Sequence, residues 1–234
     1  MKPYWRNERF GLTIYHGDCR EIMPALEAQM VCTDPVWPNA LPSLAGSADP
    51  AGLFAEACAL LPSSVRRVLV HLGADSDPRF LQGVPESWPF VRVATLDYPR
   101  PGYKGRVLYT FDVAYFFGEL PRSRPGYHLL PGRIWATDAF ARFDDKHPCE
   151  RRPQHVTVLV DRFSEPEDLV LDPFAGRCTT LLCALWTGRR AIGIEVEERW
   201  CDLAARRLEK EIAQGRLWEP GELEKPRQEA LLDV

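Results

Sequence analysis

Two short stretches place acids where an acid can meet a ligand. In "CTDPVWPN", residues 32–39, an apolar run ends in Asp34, Pro35, a small apolar residue and Trp37. The proline stops the strand, the carboxylate accepts hydrogen bonds and the indole offers a flat stacking face. In "DLVLDPFAG", residues 168–176, a second apolar run ends in Asp172 and a tight turn through Phe174, Ala175 and Gly176. A helical pattern opens at Thr179, and "RRAIGIEVE" (189–197) then brings Glu195 to the end of another apolar run. Strand, glycine turn, helix and distant acid are the parts of a nucleotide-type site. The turn lets backbone approach a ligand, and the acid accepts from two ribose hydroxyls. The full G-x-G-x-x-G is absent, so the pattern does not indicate phosphate binding.

These residues need a scaffold, and the hydrophobic pattern supplies one. Strands are predicted at 12–18, 29–35, 66–73, 90–98, 107–118, 168–176 and 189–197. Helices are predicted at 19–28, shortened by Pro24, and at 53–62, 155–164, 179–188 and 199–214. Residues 37–52 and 119–146 read as loops. Strands alternating with helices indicate a mostly parallel α/β sheet covered on both faces, and such sheets bind ligands at the carboxyl ends of their strands. Asp18, Asp34, Asp172 and Glu195 all fall at such ends.

The chain has 234 residues, 45% hydrophobic and 26% charged, which suits a soluble globular protein with a full core. No apolar run approaches the roughly 18–20 residues that span a bilayer. "MKPYWRNERF" lacks the apolar core of a secretion signal. The seven cysteines are scattered without a C-x-x-C pair, so they read as reduced thiols and no metal site is expected. Together these features predict a cytoplasmic protein with no membrane partner. The net charge of −4 argues against a nonspecific nucleic-acid coat, although a local basic patch is compatible with it.

"HPCERRP" (147–153), "DPFAGRCTT" (172–180) and "GIEVEERWCDLAARRL" (193–208) resemble the C-terminal half of bacterial and phage DNA amino-methyltransferases. That family reads H-P-x-x-K-P, D-P-F-x-G-S-G-T-T and G-I-E. "YHGDCREIMPAL" followed by "TDPVW" is similar to its N-terminal half, which has G-D and then D-P-P-Y. With the catalytic motif first and the cofactor loop last, the order matches the permuted beta class.

The resemblance implies a Rossmann-like methyltransferase fold with a mostly parallel seven-stranded sheet and S-adenosylmethionine as cofactor. Phe174, Ala175 and Gly176 would wrap the methionine part, with Asp172 and Thr179 near its amino and carboxylate groups. Glu195 would hold the ribose and Asp18 would approach the adenine. His147 and Pro148 would close the site. The Asp34 side chain and the Pro35 carbonyl would hold the amine of a base flipped out of DNA, and Trp37 would stack on it. Adenine N6 is favoured because the motif begins with Asp; cytosine N4 and an RNA substrate stay open. One catalytic domain over 1–218 is expected, with 99–146 as a small target-contact insertion and 219–234 as an acidic tail.

Three departures stand out: Val36 replaces the second proline of D-P-P-Y, and Arg177 and Cys178 replace Ser and Gly of the cofactor loop. A glycine at position 178 with positive φ would make Cys178 costly. DNA contact is expected from the basic, tyrosine-bearing segment 99–133, through Arg100, Lys104, Arg106, Arg122 and Arg124. A non-enzymatic relative that binds nucleic acid is a rival reading. So is a nicotinamide oxidoreductase, although it leaves "DPVW" without a role.

Overall fold

The most completely buried of the apolar runs form the middle of a nine-stranded sheet in the computed structural model, which describes residues 2–126, 129–136 and 151–215. In chain order the strands are β1 (Trp5–Asn7), β2 (Leu12–His16), β3 (Met30–Thr33), β4 (Arg67–Gly73), β5 (Phe90–Lys104), β6 (Val107–Gly118), β7 (Arg133–Trp135), β8 (Leu169–Asp172) and β9 (Arg190–Glu195). Their order across the sheet is β1-β2-β9-β8-β3-β4-β6-β5-β7. The five strands from β2 to β4 are parallel neighbours, so their carboxyl ends share one edge. Strand β6 runs antiparallel between β4 and β5.

Helices α1 (Cys19–Ile22), α2 (Pro50–Ala59), α3 (Pro153–Phe163), α4 (Thr179–Trp186) and α5 (Glu198–Gln214) cover both faces. Alternation along the strands divides the core in two. Met30, Cys32 and Leu69 face Leu159, Phe163, Leu181 and Leu208 of α3, α4 and α5. Val31, Val68, Val70 and Leu72 face Ile22, Phe54 and Cys58 of α1 and α2. Asp49 caps α2 by accepting from Gly52 N at 2.9 Å, and Pro50 fits its first turn, so this helix starts ahead of the expected 53–62.

The seven expected strands are all present. The two additional ones are short edge pieces, β1 against β2 and β7 against β5. Strand β5 runs through Pro99 and Pro101, past the expected end at 98. Beyond Asp97 it pairs only with β6, across a register shift between Asp97 and Gly102, where a proline's missing N–H costs little. Residues 99–104 and 107–118 lie in β5 and β6 of this sheet, and 137–146 and the expected tail at 219–234 lie outside the described residues. None of the described helices is long and apolar enough to cross a membrane.

At the amino-terminal edge of the sheet, Arg67 is buried and donates to Asp168 Oδ2 at 2.7 Å and to Glu165 Oε1 at 3.3 Å. Arg66 reaches Asp168 Oδ1 at 3.2 Å.

Candidate active site

The carboxyl edge opens into one cleft of about 730 Å³, lined at one end by Asp18, Phe174, Gly176 and Glu195 and at the other by Asp34, Pro35 and Trp37. At the first end, Asp172 finishes β8 as a buried carboxylate. Its Oδ1 accepts from Thr33 Oγ1 at 2.9 Å and Phe174 N at 3.2 Å, and its Oδ2 accepts from Thr180 Oγ1 at 2.6 Å. Burial raises the Asp172 pKa to about 6, although these donors pull it down. This carboxylate thus fixes the turn that follows it.

Glu195 does the same from β9. Its Oε2 accepts from Gly176 N at 2.8 Å and its Oε1 from Glu197 N at 2.7 Å. Burial raises its pKa as well. Each carboxylate oxygen has a second lone pair for a ligand hydroxyl. Gly176 adopts φ +51°, and a Cβ there would meet nothing within 4 Å, so the turn has a bare backbone wall. Cys178 follows at φ 55°, ψ 43°, the one left-handed non-glycine among the described residues. The cost expected of a side chain there is real, roughly 1–2 kcal/mol. Its thiol is fully buried, and burial holds its pKa well above the ordinary value. Asp18 caps α1 and is bound by Arg20, whose Nη2 donates to Oδ2 at 2.6 Å.

At the other end, Asp34 directly follows β3. Its Oδ2 accepts from Arg151 Nε at 2.5 Å, while its Oδ1 is buried with no hydrogen-bond partner among the described residues. Trp37 is anchored on β4: its Nε1 donates to the His71 carbonyl at 3.2 Å. Its ring also packs on Gly73, where any Cβ would clash at 2.4 Å. The guanidinium carbon of Arg151 stands 3.9 Å from the centre of the Trp37 ring. Arg151 Nη1 reaches Asp112 Oδ2 at 3.4 Å, which also contacts His71 Nε2 at 3.2 Å.

The motif reading did not include Arg151, His71 and Asp112 in the site. Their only trace in sequence is a charge or imidazole interrupting an apolar strand, and an arginine within "HPCERRP". Val36 lines the cleft without contributing a polar group. His147 and Pro148 lie outside the described residues.

The five basic residues expected to contact nucleic acid separate into two places. Arg100, Lys104 and Arg106 lie on the β5–β6 hairpin, which extends past the carboxyl end of β4 on the cleft side. Arg100 and Arg106 are exposed. Arg122 and Arg124 sit by the opposite edge. Arg122 pairs with Glu165 and Glu167, and Arg124 Nη2 donates to the Asp161 carbonyl at 2.6 Å. Their positive charge is used to close the bottom of the sheet, away from the cleft.

Paired acids at adjacent strand ends, a glycine turn between them and a reversed strand beside β4 define the Rossmann-like methyltransferase fold. A solved structure of the PvuII DNA methyltransferase, described as cytosine-N4-specific, matches with a TM-score of 0.69 at 18% identity, over 91% of this chain and 93% of that one. The M1.HpyAVI–SAM complex matches with a TM-score of 0.65 at 20% identity, over 84% of this chain and 98% of that one. The DNA methylase family model matches residues 122–206. The DNA adenine methyltransferase YhdJ of Escherichia coli K12 is 32% identical over 92 residues, which cover 38% of this chain and 31% of YhdJ. Over that part the chain is similar to DNA amino-methyltransferases. Its matched part spans about a third of the length of the first curated relatives.

Proposed function

We propose that the protein is an S-adenosylmethionine-dependent DNA methyltransferase acting on the exocyclic amine of a flipped-out base, with adenine N6 as the target. The observation that carries this reading is Asp34 Oδ1, a buried acceptor without a partner among the described residues, in the same cleft as the Gly176 turn and Glu195. The residues fit the cofactor. Glu195 has lone pairs left for two ribose hydroxyls, and the bare backbone at Gly176 leaves room for a close approach. Phe174, Ala175 and Thr179 line the same end, as Asp18 does for an adenine. When bound, S-adenosylmethionine supplies an activated methyl group.

The chain's own task is to prepare the amine. An exocyclic amine is a poor nucleophile because its lone pair is delocalised into the ring. Asp34 and the Pro35 carbonyl would accept its two N–H bonds, which favours a tetrahedral nitrogen with an available lone pair. Catalysis is then mostly positioning and electrostatics. The proton leaves late, so no strong base is needed. Trp37 supplies the stacking face. Arg100 and Arg106 on the hairpin would contact phosphates beside the cleft mouth.

Cytosine N4 is the second reading, favoured by the structural likeness to the PvuII enzyme. Incubation with unmodified DNA and labelled cofactor, followed by nucleoside mass spectrometry, tests both. N6-methyladenine is the expected product. N4-methylcytosine would select the second reading, and no labelled nucleoside would sink the enzyme.

A further inference from the structure

Arg151 occupies the place a flipped base needs. Its Nε donates to Asp34 Oδ2 at 2.5 Å, and its guanidinium lies 3.9 Å from the centre of the Trp37 ring. A base amine needs that carboxylate, and a base ring needs that indole face. Guanidinium and aminated base are alike in the relevant respects: both are planar, carry in-plane N–H donors and stack on indole. The Arg151 side chain is 17% exposed, so it fills the pocket rather than resting on its rim.

A buried cation cannot simply leave, because it needs an anion wherever it goes. Arg151 has a second one. Its Nη1 is already 3.4 Å from Asp112 Oδ2. Asp112 is 5% exposed and ringed by polar groups from several elements: His71 on β4, Tyr98 on β5 and Arg151 itself. Resting on the methyltransferase reading, we propose that Arg151 is a gate for the base pocket. It holds Asp34 and Trp37 while no base is present, and it moves onto Asp112 when a base arrives. The move frees both Asp34 oxygens for the amine and uncovers the indole without leaving the guanidinium unpaired. Asp112 already stands within reach, its Oδ2 3.4 Å from Arg151 Nη1.

A gate and a base-contacting residue predict opposite signs. Removing a base contact weakens capture; removing a competitor strengthens it. The probe is deoxyadenosine, titrated calorimetrically into the full chain saturated with S-adenosylhomocysteine. Arg151→Ala is expected to bind it roughly tenfold tighter than wild type, the scale of one charge-assisted hydrogen bond that no longer has to be broken. Equal or weaker binding overturns the gate. Should Arg151→Ala fail to fold, Asp112→Asn decides. With its second seat weakened, Arg151 stays on Asp34, and deoxyadenosine affinity falls severalfold while S-adenosylhomocysteine affinity holds. An unchanged nucleoside affinity in that variant overturns the gate, as does no deoxyadenosine binding in any form. Methyl transfer to DNA by wild type is read separately. Tighter capture in Arg151→Ala without any wild-type transfer keeps the gate and sinks the enzyme, and transfer without tighter capture does the reverse.

Discussion

The two edges of the sheet bury acids for different ends. At the amino-terminal edge, Asp168 and Glu165 are matched by Arg66, Arg67 and Arg122. At the carboxyl edge, Asp34 keeps one buried oxygen without a partner among the described residues, and burial raises the pKa values of both Asp172 and Glu195. The first edge spends its charges on itself. The second leaves hydrogen-bonding capacity over, and that surplus is where a ligand belongs.

The largest expected effect is at the carboxyl edge. Asp34→Ala should lower methyl transfer by about 10³-fold, about 4 kcal/mol of barrier, because the amine loses its acceptor. Melting temperature and calorimetric cofactor affinity should stay near wild type. Turnover equal to wild type would remove Asp34 from the chemistry. The counterpart is Arg67→Met, which leaves Asp168 and Glu165 buried without their main cation. A loss of about 3 kcal/mol in urea unfolding is expected, with cofactor affinity intact in the folded protein. An unchanged unfolding midpoint would break the contrast.

The edges should also respond oppositely to pH. The Asp172 carboxyl has its folded pKa raised from 3.8 to about 6, chiefly by burial. The fold therefore binds that proton more readily than the unfolded chain, and stability falls as pH rises through that window, by about 3 kcal/mol. Burial pushes Glu165 up, but hydrogen bonds from Arg122 outweigh it and Arg67 adds to them, leaving its pKa lowered. Its contribution is lost as pH falls. Unfolding curves of Asp172→Asn between pH 4 and 7 should show a shallower decline on raising pH than wild type, with Glu195 keeping the remainder. The smallest effect is Cys178→Gly, which relieves the left-handed strain and should stabilise by about 1 kcal/mol, read as a small rise in melting temperature. A lower melting temperature would mean that the buried thiol's packing outweighs the strain.

Much of this was legible in the sequence because it is local. The seven apolar runs gave seven strands, and Asp34, Asp172 and Glu195 fell at their carboxyl ends as periodicity requires. Strands β1 and β7 escaped because three residues carry no period, and their pairing depends on neighbours distant in the chain. The course of β5 through Pro99 and Pro101 escaped because a proline reads as a stop until the edge position is known. The Arg151–Asp34–Asp112 cluster escaped for a related reason: its members lie 117 and 39 residues apart, and no short motif joins them. The split of the basic residues needed the sheet direction, which sends Arg122 and Arg124 to the far edge.

One cleft runs from Glu195 to Asp34. A single synthetic molecule joining an adenosine-bearing arm to a second purine would therefore engage both ends at once. The second arm would bind intramolecularly, at an effective concentration on the order of millimolar, so two weak fragments become one strong inhibitor. The length of the best tether would measure, in solution, the separation of the two ends of the cleft.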